Sequence, residues 1–236
     1  MWGYASLLVF MLASLAHGVH AAENAGILDR DDQSVIASKA FLDAHPDMKF
    51  RVEGFIAYED GRFVDARADF TRAAEFADKP SQAMLAEMAW KGIGQVQDRP
   101  LGYVWADVAA ERGYRRFVEQ RESYWSRLSP EERAKALQLG GEILDRYGDV
   151  SAQRRLARHL QRARRSMITG RPRKDVTVLV PGPYGLPTFI RGHDFYEPKF
   201  WEPARYQAWV DAIWKDPPAE NVEVGPLEAM EQEGAR

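Results

Sequence analysis

Leu85-Ala-Glu-Met-Ala-Trp90-Lys-Gly92-Ile-Gly94-Gln-Val96-Gln-Asp98, followed by Gly102, Trp105, Ala109, Ala110 and Gly113, is the stretch that decides the fold. Gly92 and Gly94 end one helix and let the chain turn with positive φ. A second helix then starts after Asp98, with Pro100 tolerated in its first turn. Working outward, the preceding segment follows the same plan: Gly54-Phe-Ile-Ala-Tyr58-Glu-Asp-Gly61-Arg-Phe63-Val-Asp-Ala66, then Phe70, Ala73 and Ala74. The pair Ala73-Ala74 returns at Ala109-Ala110, and Ala66 corresponds to Gly102, both at an offset of 36. A repeat of that length built from two helices is the mark of an α-solenoid. Ala66, Ala73, Gly102 and Ala109 are small enough for antiparallel helices to approach closely, while Phe70 and Trp105 fill the space between them. One such hairpin cannot bury its apolar face alone, so neighbours must stack.

Two repeat families share these residues. The first segment resembles a tetratricopeptide repeat, with Gly54, Tyr58, Gly61, Phe63, Ala66, Phe70 and Ala73 in the expected places. The second resembles its relative, the Sel-one-like repeat (SLR), through Leu85, Gly92, Gly94, Asp98, Trp105, Ala109, Ala110, Glu111 and Gly113. It departs from that pattern at Ala86, Gln95 and Gly102, where the family has glycine, valine and alanine. The resemblance implies a mainly α fold: a short solenoid of helical hairpins that needs no cofactor. It also implies that protein partners bind on the concave face made by the first helices. Here that face draws on Glu53, Tyr58, Glu87, Lys91, Arg121 and Tyr124.

The spacing predicts further helices on either side. One runs from Ser34 to about Ala44, and one from Arg115 to Leu128 with Phe117, Val118, Tyr124, Trp125 and Leu128 on one face. Ser129-Pro130-Glu131-Glu132 reads as a helix start, and Leu137, Gly140, Ile143, Leu144 and Tyr147 continue at helical spacing until Gly148. A last helix covers about Ser151 to Met167, so the repeat domain spans residues 33–168. Residues 175–226 read as a small α+β cap. Val176–Val180 and Pro187–Ile190 suit a hairpin, a helix follows Glu202-Pro203 through Trp214, and Asn221–Val224 suits a short edge strand. The cap is expected to cover the open apolar face of the last helix. Residues 227–236 form an acidic tail.

The first residues read as a targeting segment. Met1 to Ala22 carries no charged side chain, and Tyr4 to Leu15 is apolar or small throughout. Twelve such residues are too few for a bilayer span, which needs about 20. Val19-His20-Ala21 places small residues for cleavage before Ala22, giving a signal peptide over residues 1–21. The missing Lys or Arg near Met1 departs from the usual signal, and an uncleaved anchor or a buried helix is the alternative. The expected location is periplasmic or secreted, with no transmembrane span in the mature chain.

Composition excludes several classes. With 45% hydrophobic and 28% charged residues the chain is globular, and with no cysteine it has neither a disulfide framework nor thiol chemistry. A net charge of −3 names no partner, and nucleic acid is not expected. The histidines show no metal-ligand spacing, and neither a nucleophile elbow nor a phosphate loop is present, so no enzyme is expected. The local charge pattern is more informative. Arg154, Arg155, Arg158, Arg162, Arg164, Arg165, Arg171, Arg173 and Lys174 come with no acid between Ser151 and Lys174. Arg154, Arg158, Arg162 and Arg165 share one helix side, about 200° from Leu156 at 100° per residue. They face either an anionic partner or the acidic tail. The aromatics Tyr196, Phe200, Trp201, Tyr206, Trp209 and Trp214 either pack the cap or line a groove for peptide or glycan. Three functions therefore stand: an envelope scaffold or adaptor for proteins, an envelope module for an anionic or glycan partner, and an enzyme or regulator of a cell-wall enzyme.

Overall fold

The computed structural model describes residues 30–167, 177–181 and 187–215. The signal segment, the strand expected at Asn221–Val224 and the acidic tail lie outside the described residues. The fold is mainly α, with helical hairpins packed side by side and a small strand-and-helix C-terminal part.

Two short helices come first, α1 (Arg30–Ile36) and α2 (Lys39–Ala44). They stand where the spacing predicts a single helix from Ser34 to about Ala44. The break is local: the Ser38 side chain accepts from the Phe41 N–H at 3.2 Å and caps a new helix. The hairpins follow as α3 (Pro46–Glu59) with α4 (Phe63–Ala74), α5 (Lys79–Lys91) with α6 (Arg99–Ala110), and α7 (Arg115–Arg127) with α8 (Pro130–Tyr147). Their starts are written in side chains. Asp78 accepts from Ser81 N–H at 3.0 Å, and Asp98 from Leu101 N–H at 3.1 Å. Ser129 and Glu132 form a reciprocal capping box at 3.2 and 2.9 Å.

The small residues sit at the helix contacts. Ala66, Ala73, Ala74, Ala109 and Ala110 are buried. At Gly102 α6 lies close on α5: a Cβ there would stand 2.9 Å from Trp90 N and 3.1 Å from Ala86 O. The departure from alanine at this position is therefore the price of a closer approach. Gly92 ends α5 with φ +75°, in the left-handed region.

One core lies between the hairpins, built around Phe55, Phe70, Met84, Trp105, Tyr124 and Tyr147. The face of α8 is divided. Ala136 and Tyr147 are buried, whereas Leu137 and Leu144, expected on the same stripe, are 70% and 45% exposed. The reason is topological. At Gly148 the chain reverses into α9 (Asp149–Met167), which packs against the C-terminal elements. No second helix of a further hairpin is laid on the outer side of α8 among the described residues.

The C-terminal part comprises an antiparallel hairpin, β1 (Thr177–Pro181) with β2 (Pro187–Arg191), paired Thr177↔Arg191 to Pro181↔Pro187. Three helices follow: α10 (Gly192–Phe195), α11 (Pro198–Trp201) and α12 (Pro203–Lys215). This part does meet α9, but it reaches further than an end cap. The hairpin and α10 lie against α1 and α2, while α12 lies across the first helices. A second core results, in which Val35, Phe41, Phe117, Leu160, Phe200 and Trp214 come from four distant stretches of chain. No helix among the described residues is long and apolar enough to cross a membrane.

Candidate functional site

The first helices α3, α5 and α7 run side by side and present a common inner face. Its two ends differ. At the N-terminal ends of these helices the face is occupied by α12. Ala83 and Phe117 belong to the same core as Tyr206, Val210, Ile213 and Trp214, and the Phe117 and Trp214 rings lie 5.5 Å apart. The Tyr206 hydroxyl donates to Asp47 at 2.6 Å, and the Tyr114 hydroxyl donates to Asp211, which also accepts from Gln207 at 2.7 Å.

Beneath α12 the charges are buried and paired. Arg51 meets Asp78 at 2.8 Å with both side chains nearly inaccessible. Lys79 reaches Glu111 at 2.7 Å, Asp149 at 3.1 Å and the Val108 carbonyl at 2.7 Å. Arg112 holds Asp149 through two hydrogen bonds of 2.9 and 3.0 Å. Burial raises the carboxyl pKa of Asp47 and Asp78, and lowers the ammonium pKa of Lys79. Burial also works against the charge on Asp149, but Arg112 and Lys79 outweigh it and leave its pKa lowered. A cleft beside α12, lined by Asp47, Lys79, Arg112, Tyr114 and Tyr206, has room for water rather than for a ligand.

At the C-terminal ends of the same helices the face is open. Tyr58, Glu87, Lys91 and Tyr124, drawn from all three first helices, come together here. Lys91 pairs with Glu87 at 2.6 Å, and this hydrogen bond raises the Lys91 pKa. Burial, and then the Glu87 charge, raises the Tyr58 hydroxyl. Trp90 stacks on Tyr124 at 4.0 Å and 10°, and the Arg99 guanidinium lies 4.5 Å from the Trp90 ring. Two residues expected on this face turn elsewhere. Glu53 lies in the field of Lys49 and of Asp69 and Arg72 on α4, and Arg121 pairs with Asp107 at 3.6 Å and Glu122 at 2.6 Å. Glu53 is five residues before Tyr58 and so off its strip, whereas Arg121 lies one turn before Tyr124 on the same side of α7 but reaches across to Asp107 on α6.

On α9, Ala152, Leu156 and Leu160 are buried, and Arg154, Arg158, Arg162 and Arg165 are exposed on the other side. Among the described residues these arginines have no ion-pair partner. Their neighbours are engaged: Arg155 donates to the Glu75 carbonyl at 2.7 Å, and Arg164 stands 3.7 Å from Glu202. The aromatic cap is mostly interior. Phe200, Trp201, Tyr206 and Trp214 are buried, with Tyr196 and Trp209 packed partly against them, so they line no open groove.

His45 is a feature that the sequence did not single out. Its ring is fully buried, stacked on Phe41 at 3.7 Å, with Nδ1 2.8 Å from the Phe41 carbonyl and Nε2 2.7 Å from the Phe200 carbonyl. Burial lowers its pKa to about 4 against the pull of the two carbonyls, of which a neutral ring donates to only one. It ties the N-terminal helices to α11. His193 instead meets its neighbour Asp194 at 2.7 Å. No group of three or more His, Asp or Glu among the described residues is arranged to hold a metal ion.

No family model matches the sequence, and no curated protein does. A solved structure similar to this chain is that of a protective antigen present in uropathogenic Escherichia coli strains and displaying an SLR fold. The likeness has a TM-score of 0.39 at 17% identity, covering 64% of this chain and 39% of that one. This chain thus spans well under half the length of that protein. The helical-hairpin architecture stands on the packing described above.

Proposed function

We propose that this protein is an exported helical-repeat scaffold of the cell envelope that binds a protein partner along the open end of its inner face. The observation that carries this reading is the division of that face. One end already holds a helix, α12, by the usual means of protein recognition: buried aromatics, a tyrosine on a carboxylate and paired charges. The other end presents Tyr58, Glu87 and Lys91 without such a cover, above the buried, stacked Trp90–Tyr124 pair. Tyrosine, tryptophan and arginine are the residues that dominate protein interfaces. Export rests on the charge-free apolar start of the sequence.

Binding, not catalysis, is the role assigned to this face. Its test is a photo-crosslinker placed at Tyr58 and at Lys91, with Val64 on α4 as the control position. A common adduct formed from the first two sites and not from Val64, and lost in Glu87→Ala, supports the reading. Equal labelling from all three positions overturns it. Intact mass of the envelope fraction tests export separately, since retention of Met1 contradicts cleavage at Ala21.

A second reading, an envelope module for an anionic partner, draws on the exposed arginines of α9. Its glycan version loses the support of the aromatic cap, whose rings are spent on the core. A regulator of a wall enzyme is a special case of the scaffold, and the same crosslinking identifies it.

A further inference from the structure

The basic side of α9 is a charged surface whose counter-charge is not found among the described residues. Arg154, Arg158, Arg162 and Arg165 are spaced by 4, 4 and 3 residues, so they form one ladder about 16 Å long at 1.5 Å per residue. The opposite side of the helix is fixed in the core through Leu156 and Leu160, which holds the ladder facing outward.

The path of the neighbouring helix points to an occupant. Glu202, just before α12, is 3.7 Å from Arg164 near the end of α9. Asp211, late in α12, is 3.8 Å from Arg112, which is bound to Asp149 at the first residue of α9. Helix α12 therefore runs back along α9, and the chain leaves it at Lys215 close to the start of α9, where Arg154 stands one turn in. The stretch that follows, residues 216–236, carries Asp216, Glu220, Glu223, Glu228, Glu231 and Glu233 against Arg236 alone. From Asp216 to Glu233 a chain reaches at most about 60 Å, several times the length of the ladder. Reach and charge thus both suit this stretch.

We propose that the acidic stretch Asp216–Glu233 docks on the arginine ladder of α9 and acts there as a tethered competitor for acidic ligands. A segment attached this close has an effective concentration in the mM range, so a free anionic partner must displace it. The contact is between exposed charges and is screened by salt. A strongly acidic partner then outcompetes the stretch and a weakly acidic one does not.

The absence of native cysteine permits a clean test in the full chain. A spin label on Ala229→Cys is expected to broaden the amide signals of Arg154–Arg165 at low salt and to spare Val64. The effect is expected to vanish at about 0.5 M salt and in the R154E/R158E/R162E/R165E variant, whose fold is checked by circular dichroism. Independently, D216N/E220Q/E223Q/E228Q/E231Q/E233Q should bind a fluorescent hexaglutamate peptide about tenfold more tightly than the unaltered chain at low salt. No broadening of α9 at low salt overturns the proposal. So does equal affinity of the two chains for hexaglutamate, or for anionic phosphatidylglycerol vesicles if these prove to be what the ladder binds.

Discussion

The two ends of the inner face are built on the same three helices and answer to different physics. Under α12, Arg51, Asp78 and Lys79 are almost fully buried and held by partners at 2.7 to 3.1 Å. A few turns further along, Lys91 and Glu87 pair at 2.6 Å with the lysine half exposed. The distances are alike, but the surroundings decide what each pair does. In water an ion pair contributes little, because its charges were already well solvated. Under a helix the same pair must exist, because either charge left alone has no water to turn to. A helix laid over one end of a repeat face thus converts ordinary surface charges into a requirement on which helix fits.

The sharpest way to break the contrast is Arg51→Ala. It leaves Asp78 buried without its partner and should cost about 3–5 kcal/mol in a urea unfolding curve. A loss below 1 kcal/mol would mean that the two ends are alike.

His45 probes the same end by pH. Its pKa is about 4 in the folded chain against 6.5 for a free ring. The folded state therefore takes up this proton later than the unfolded state. The stability contribution of His45 is complete above pH 6.5 and falls as pH drops from 6.5 towards 4, by a few kcal/mol in all. Burial raises the carboxyl pKa of Asp47 and Asp78, which has the opposite sign: their penalty at neutral pH lifts on acidification. The measurement is consequently the stability difference between the unaltered chain and His45→Gln as a function of pH. A difference that stays flat across this window contradicts a buried neutral imidazole.

Gly102→Ala tests whether the helices beneath both ends are equally tight. The added Cβ meets backbone atoms of α5 at 2.9 Å, so a loss of about 1–3 kcal/mol is expected by thermal unfolding. At the open end, Lys91→Ala should change stability by less than about 1 kcal/mol, while removing the crosslink from the neighbouring Tyr58 position. A strongly destabilised Lys91→Ala would mean that this end is also structural.

Much of the fold was legible because its signals are local. Gly92, Asp98, Pro100, Ser129 and Glu132 act within one turn of themselves, and the helix boundaries follow from them. The hairpin β1–β2 and the helix after Pro203 were readable for the same reason. The seat of α12 was not. Tyr206, Val210, Ile213 and Trp214 announce an apolar side, yet nothing in that pattern says that its partners are Asp47, Tyr114 and Phe117, as much as 159 positions away. Buried charges were hidden too, since Arg51, Asp78 and Lys79 look like ordinary surface residues until a helix is placed over them. At the candidate site, Tyr58, Glu87, Lys91 and Tyr124 share one strip, whereas Glu53 and Arg121 needed the rotation of their helices to be known.

The contact of α1 and α2 with β2, α10 and α11 has a consequence for the order of assembly. Stacked hairpins are able to form from neighbour to neighbour as soon as each is available. Here, however, Val35, Ile36 and Phe41 share a core with Ile190, Phe195 and Phe200, which lie about 150 positions later in the chain. At a synthesis rate of about 5–20 residues per second, that separation leaves roughly 10–30 seconds in which Val35, Ile36 and Phe41 have no cover. During that interval they are a natural handle for a chaperone, and the arrival of Ile190, Phe195 and Phe200 acts as the release signal.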